Sequence, residues 1–263
     1  MRKYIKTALL IVIAAMVGFM TIRAAITLFP SMPAQSNTAE GLAYIKAEEK
    51  ADISANENAI NQARDEVKRV QQSKHAAEEI SNGNFRAGFN EILICGDSLV
   101  KSIVEYEVLD SDQVVAEIGA GTQYLSDNIS ALKAVNPKYL VLHFGENELD
   151  KKKYASYFIA RYRAALQKLK KELPNTRIYV DSIFPVLKKA YKSEPYTEHI
   201  DHYNTLLKEL AKELEVTYLD YSTLKGFFLK KYYDADGIHF VETFYTEKYL
   251  PYIFTEVYSY IDQ

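Results

Sequence analysis

From Glu91 onward the chain alternates short apolar runs with longer stretches of helical periodicity. Ile92–Cys95, Gln113–Ile118, Tyr139–His143, Arg177–Asp181 and Val216–Leu219 are β-branched or aromatic runs of strand type. Between them, Tyr154–Leu173 carries Phe158, Tyr162, Leu166, Leu169 and Leu173 on one helical face, and Tyr196–Leu214 reads as a second helix. Glu242–Ile261 is expected to close the chain as a helix, with Pro251 marking a kink or a break. Five strands joined by helical crossovers predict an α/β domain, a three-layer α/β/α arrangement around a parallel sheet covered on both faces. Ligands bind such sheets at the C-terminal strand ends.

The pattern upstream is different. Leu42–Ile80 lacks Gly and Pro and is rich in Ala, Glu, Lys, Gln and Asn. Ile53, Ile60 and Val67 recur at sevens, with Leu42, Ala63, Val70 and Ala77 in companion positions, while Lys46, Glu49, Asn56 and Lys74 interrupt the seam. A single helical stalk is expected, with weak self-association through that seam as the alternative; Ser81-Asn82-Gly83-Asn84 ends it. Thr7–Ile22 is almost wholly apolar, and after Arg23 the apolar stretch resumes as Ala24–Phe29 before Pro30. About 23 residues at 1.5 Å each suffice for a hydrocarbon core of roughly 30 Å. Arg2, Lys3 and Lys6 place the N-terminus in the cytoplasm, so the rest would be extracytoplasmic. A cleaved signal peptide, with Ser31-Met32-Pro33-Ala34 near the cut, is the rival; the length of the stretch favours a retained transmembrane anchor. The expected organisation is residues 1–30 as anchor or signal segment, 31–88 as linker and stalk, and 89–263 as the α/β domain.

Composition narrows the chemistry. The 263 residues include 48% hydrophobic and 25% charged side chains, enough for a full core. A net charge of −3 offers no basic face for nucleic acid. The one cysteine, Cys95, rules out an intrachain disulfide and a cysteine metal cluster, and sits in an apolar run as a buried thiol. His143 reads as a packed strand residue. His199, Asp201 and His202 could clip a metal, but without a third strong ligand they read as a solvated helix face, and no metal or other cofactor is expected.

Three short segments carry the candidate chemistry: Gly96-Asp97-Ser98 after the first strand run, Gly145-Glu146-Asn147 after the third, and Asp236-Gly237-Ile238-His239 near the C-terminus. Taken singly they are bland. Ser98 could be a helix N-cap and Asn147 an Asx-turn residue. Together they are the parts for nucleophilic acyl transfer, because a serine needs a base, an orienter for that base and donors for the developing oxyanion. No Gly-x-Ser-x-Gly elbow is present.

Gly96-Asp97-Ser98-Leu99-Val100 resembles the first block of the SGNH hydrolases, also called GDSL esterases and lipases. Gly145-Glu146-Asn147-Glu148 is similar to their third block, usually Gly-x-Asn-Asp, and Asp236–His239 to their fifth, Asp-x-x-His. The second block falls in Ile118-Gly119-Ala120-Gly121-Thr122, where Gly119 directly follows the strand and Gly121 is the alternative. The resemblance covers Glu91–Gln263. It implies a flavodoxin-like SGNH fold, Ser98 as nucleophile, His239 as general base and Asp236 as its orienter. The oxyanion hole would be the Ser98 and Gly119 backbone N–H groups with the Asn147 amide. Glu148 in place of Asp is expected to be tolerated, since that Asp is not an oxyanion donor. The implied activity is an extracytoplasmic esterase removing acyl groups, acetyl foremost, from envelope glycans or related esters. An O-acyltransferase passing the acyl group to a sugar hydroxyl and a non-catalytic anchored module are the alternatives.

Overall fold

The computed structural model describes residues 38–258. The expected membrane segment Thr7–Phe29 lies outside the described residues, among which no helix is long and apolar enough to cross a membrane. The chain divides into two compact units, residues 1–65 and 66–263.

Helix α1 spans Thr38–Ser81. In its first part Ile53 and Ile60 of the heptad seam are exposed. Its last turns belong to the second unit. The cause is local: Ala76 is buried and Ile80 packs on the core, lying against Gly88 of the short helix α2, Phe85–Gly88.

Five parallel strands form the sheet: β1 Ile92–Gly96, β2 Val114–Ala116, β3 Tyr139–His143, β4 Arg177–Asp181 and β5 Thr217–Leu219, in the order β2-β1-β3-β4-β5. β1 and β3 are buried along their whole length, as a sheet covered on both faces requires. Alternation divides them between two cores. Ile92, Ile94, Tyr139 and Val141 face one layer, with α3 (Ser98–Glu105) and the C-terminal helix. Leu93, Cys95, Leu140 and Leu142 face the other, with α4 (Thr122–Asp127), α5 (Ile129–Val135), α6 (Ala155–Glu172) and α7 (Ile200–Glu213).

Three expected elements are shorter or differently wound. The Gln113–Ile118 run pairs only over Val114–Ala116, and Ile118 stands 67% exposed at the turn that follows. The helix expected from Tyr196 opens as a 3₁₀ turn, Pro195–His199, and becomes α-helical at Ile200. At the C-terminus, one α-turn (Glu242–Phe244) runs through a π-turn (Tyr245–Tyr249) into α8, Leu250–Tyr258. Pro251 has no N–H to give to the turn before it, and the wider turn accommodates its ring without breaking the helix.

In this strand order the direction of winding reverses between β1 and β3. Ser98 follows β1 and Gly145-Glu146-Asn147 follows β3, so both stand at the crevice this reversal opens. The register aligns Gly96 with His143. A side chain at Gly96 would meet Val100 at 2.3 Å and the His143 carbonyl at 2.7 Å, so only glycine lets α3 start this close to β3.

Candidate active site

The turn after β1 is set by Asp97, not Ser98. Asp97 is extended and its carboxylate accepts the Leu99 N–H at 3.0 Å, which makes Asp97 the cap of α3. Ser98 becomes the first helical residue and its hydroxyl is left for another partner. That partner is His239: Ser98 Oγ lies 3.1 Å from Nε2. On the other side of the ring, Nδ1 lies 2.6 Å from Asp236 Oδ2. The second oxygen, Oδ1, accepts the backbone N–H groups of Ile238 at 2.8 Å and His239 at 3.0 Å. Asp236 thus holds both the loop and the imidazole. Partial burial pushes its carboxyl up, but the donors from His239 and Ile238 outweigh this and hold it below the usual carboxylate range.

The loop is braced from outside. Leu187 N–H donates to the Gly237 carbonyl at 2.9 Å, and Lys189 Nζ donates to the Ala235 carbonyl at 2.5 Å. Beneath it, Phe240 stacks on Phe244 with ring centroids 3.9 Å apart, and both pack on buried Phe184.

Asn147 is no Asx-turn residue. Its side-chain amide donates to the Ala120 carbonyl at 3.0 Å, tying the segment after β3 to the loop after β2. One amide hydrogen is used there, leaving the second for another acceptor. The same loop separates the two candidate glycines. Gly119 has φ +76°, a left-handed conformation, with open space where a side chain would be. Gly121 is packed instead: a Cβ there would lie 2.8 Å from the Glu148 carboxyl carbon. Of the two, Gly119 is therefore the one with open space at its Cα.

Glu148 has a role that the sequence did not reveal. It accepts both the backbone N–H and the hydroxyl of Thr122, and Arg161 donates to it at 3.0 Å. A second unpredicted group lies behind Ser98: Asp97, His143, Glu146 and Asp181. His143 is buried, as expected for a strand residue, yet its partners are polar, with Nδ1 3.2 Å from Asp181 and Nε2 3.3 Å from Glu146. Burial pulls its imidazolium down, but the charge of Glu146 and the hydrogen bond to Asp181 outweigh that and hold it well above the ordinary value. Asp97 is pushed well up by burial and by Glu146, whereas Glu146 is held low by His143 against its own burial. One ligating atom from each of Asp97, His143 and Glu146 lies within 4.8 Å of the other two. His199 and His202 do not form such a group. The Asp181 signal was legible only as an acid closing an apolar run. Cys95 is buried and its thiol is pushed up by burial, an inert packing residue.

The chain belongs to the GDSL-like lipase/acylhydrolase family, whose sequence profile matches residues 104–246, more than half of the chain. The match takes in Gly119, Asn147, Asp236 and His239 and begins just past Ser98. A comparison with curated proteins finds no match. Among solved structures, a GDSL-like lipase of Parabacteroides merdae is similar at a TM-score of 0.50 and 16% identity, over 64% of this chain and 94% of that one. The lipase/acylhydrolase of Enterococcus faecalis gives 0.49 and 15%, over 64% and 96%. A peptidoglycan O-acetylesterase gives 0.48 and 14%, over 57% and 47%.

Proposed function

We propose that this protein is a serine ester hydrolase working through an acyl-serine intermediate. The observation that carries the reading is the continuous relay Ser98 Oγ–His239 Nε2 and His239 Nδ1–Asp236 Oδ2, at 3.1 and 2.6 Å. His239 takes the Ser98 proton as Oγ attacks the ester carbonyl. The oxyanion that forms receives N–H donors from the Ser98 and Gly119 backbone and from the free Asn147 amide hydrogen. Collapse breaks the ester C–O bond, and His239 returns its proton to the departing alcohol. Water, activated by the same imidazole, then releases the acid. Asp236 orients the ring and stabilises the imidazolium throughout.

The substrate we propose is an O-acetyl ester on an envelope glycan, met outside the cytoplasm. The apolar stretch Thr7–Phe29 behind Arg2, Lys3 and Lys6 supports that location. The test is incubation of the purified protein with p-nitrophenyl acetate and with acetylated envelope glycans, with and without an unacetylated sugar acceptor. Free acetate in every case is expected. Acetylated acceptor would instead identify a transferase, and no turnover of any ester would indicate a non-catalytic module. Protease added to spheroplasts is expected to digest the domain; full protection would reverse the topology.

A further inference from the structure

Ionisable side chains from the ends of three strands meet behind Ser98, and their polar atoms can be assigned one at a time. Asp181 accepts the hydroxyls of Tyr249 at 2.6 Å and Tyr221 at 2.9 Å, and its Oδ2 also lies 3.2 Å from His143 Nδ1. Three donors thus converge on one carboxylate. His143 then turns Nε2 towards Glu146 Oε1 at 3.3 Å, and the Phe184 N–H donates to that same oxygen at 3.1 Å. Asp97 Oδ1 is taken by the Leu99 N–H. Among the described residues, four buried polar atoms remain without a hydrogen-bond partner: one oxygen on each acid, Asp97 Oδ2 and Glu146 Oε2, together with His143 Nε2, which is only ion-paired to Glu146 Oε1, and the Tyr162 hydroxyl.

An oxygen of Asp97 and one of Glu146 lie within 4.8 Å of each other; two bare carboxylates that close in a dry site repel, and their leftover oxygens have no donor between them. A single proton between them removes both penalties. We propose that Asp97 is a carboxylic acid in the working enzyme, donating its proton to Glu146, and that this bond positions the Ser98 turn against the Asn147 loop. Asp97 immediately precedes the nucleophile and Glu146 immediately precedes the oxyanion-hole amide. The shared proton therefore sets the spacing between the attacking oxygen and the donor that receives the negative charge. Burial and the Glu146 charge both favour the neutral form of Asp97. The other titratable groups facing the pair are His143, Asp181 and the hydroxyls of Tyr162, Tyr245 and Tyr249, the three hydroxyls pushed up by burial and so kept neutral.

The kinetic part of this proposal rests on the Ser98 assignment; the proton itself does not. Infrared spectra of the full-length protein at pH 7 should show a protonated-carboxyl carbonyl band that disappears in Asp97→Asn. Absence of that band, or a stoichiometric divalent cation found by elemental analysis, would overturn the proposal. In turnover, Asp97→Asn replaces the acid O–H by an amide N–H and should keep kcat within about threefold. Asp97→Ala should lose about 10–100-fold in kcat with KM little changed, the scale of an ångström-sized misplacement. Asp97→Asn as slow as Asp97→Ala would refute the positioning role. Should Asp97→Ala not fold, the wild-type and Asp97→Asn spectra still decide. A failed Ser98 assignment would leave those spectra standing, so the two readings fail separately.

Discussion

Thr122 gives both of its donors to Glu148, the backbone N–H at 2.8 Å and the hydroxyl at 2.7 Å. Thr122 opens α4 directly after the Gly119 loop, and Glu148 directly follows Asn147. The carboxylate therefore caps α4 from outside the helix and clamps the two segments proposed to form the oxyanion hole. The family's usual aspartate, one methylene shorter, would have to meet Thr122 from a different distance.

Glu148→Ala should cost stability and rate together. Loss of the cap is worth about 1–2 kcal/mol, and the loosened loop should slow kcat by roughly tenfold as the donors lose alignment. Thermal melts and steady-state kinetics on one preparation measure both. A lowered melting temperature with unchanged kcat would reduce Glu148 to a structural clamp.

The two neighbouring glycines should respond differently to alanine. At Gly121 the new methyl displaces the Glu148 carboxyl, so Gly121→Ala should reproduce the Glu148→Ala phenotype. At Gly119 there is room, and the cost is the left-handed backbone, about 1–2 kcal/mol. If Gly119→Ala shifts the loop to relieve that strain, its N–H turns away from the substrate and kcat falls with little change in KM. Equal kinetics for the two variants would contradict the distinction.

Asn147→Ala should slow the chemical step by roughly 10²–10³, the loss typical of one oxyanion donor. It also removes the bond to the Ala120 carbonyl, so a modest fall in melting temperature accompanies it. Unchanged kcat per folded molecule would remove Asn147 from the oxyanion hole.

Stability should fall on the alkaline side through His143. Its folded-state value lies above the ordinary 6.5. The stabilisation from its charged form is thus complete below about 6.5 and is lost as pH rises through the folded value. Asp236 runs the other way: held low, it contributes above the ordinary carboxylate value and loses that contribution as pH falls through its folded value. Urea melts from pH 6 to 10 on wild type and His143→Gln test the first effect. A wild-type slope that persists in the variant would assign the loss to other groups.

The strand runs and the α6 face were legible because burial on both sides imposes continuous apolar runs on strands and 3.6-residue spacing on helices. Two of the three motifs were legible for a similar reason: chemistry at the ends of β1 and β3 leaves short polar interruptions after apolar runs, whereas Asp236–His239 follows no strand and stood out only by its resemblance to the family's fifth block. The sequence by itself thus determined the layered parallel fold and brought Ser98, Asn147, Asp236 and His239 forward as a set. It favoured Gly119 over Gly121 from the strand end alone, and could not show that a side chain at Gly121 would meet Glu148, a residue 27 positions downstream. Nor could it show that Asp97, not Ser98, caps α3, or that His143, Glu146 and Asp181 meet Asp97 in one buried cluster. Those residues lie at or just past the C-terminal ends of β1, β3 and β4 and are joined only by the strand order and register of the sheet. Pairwise distances across a sheet leave no periodic trace in the chain, so the tertiary structure alone decided them.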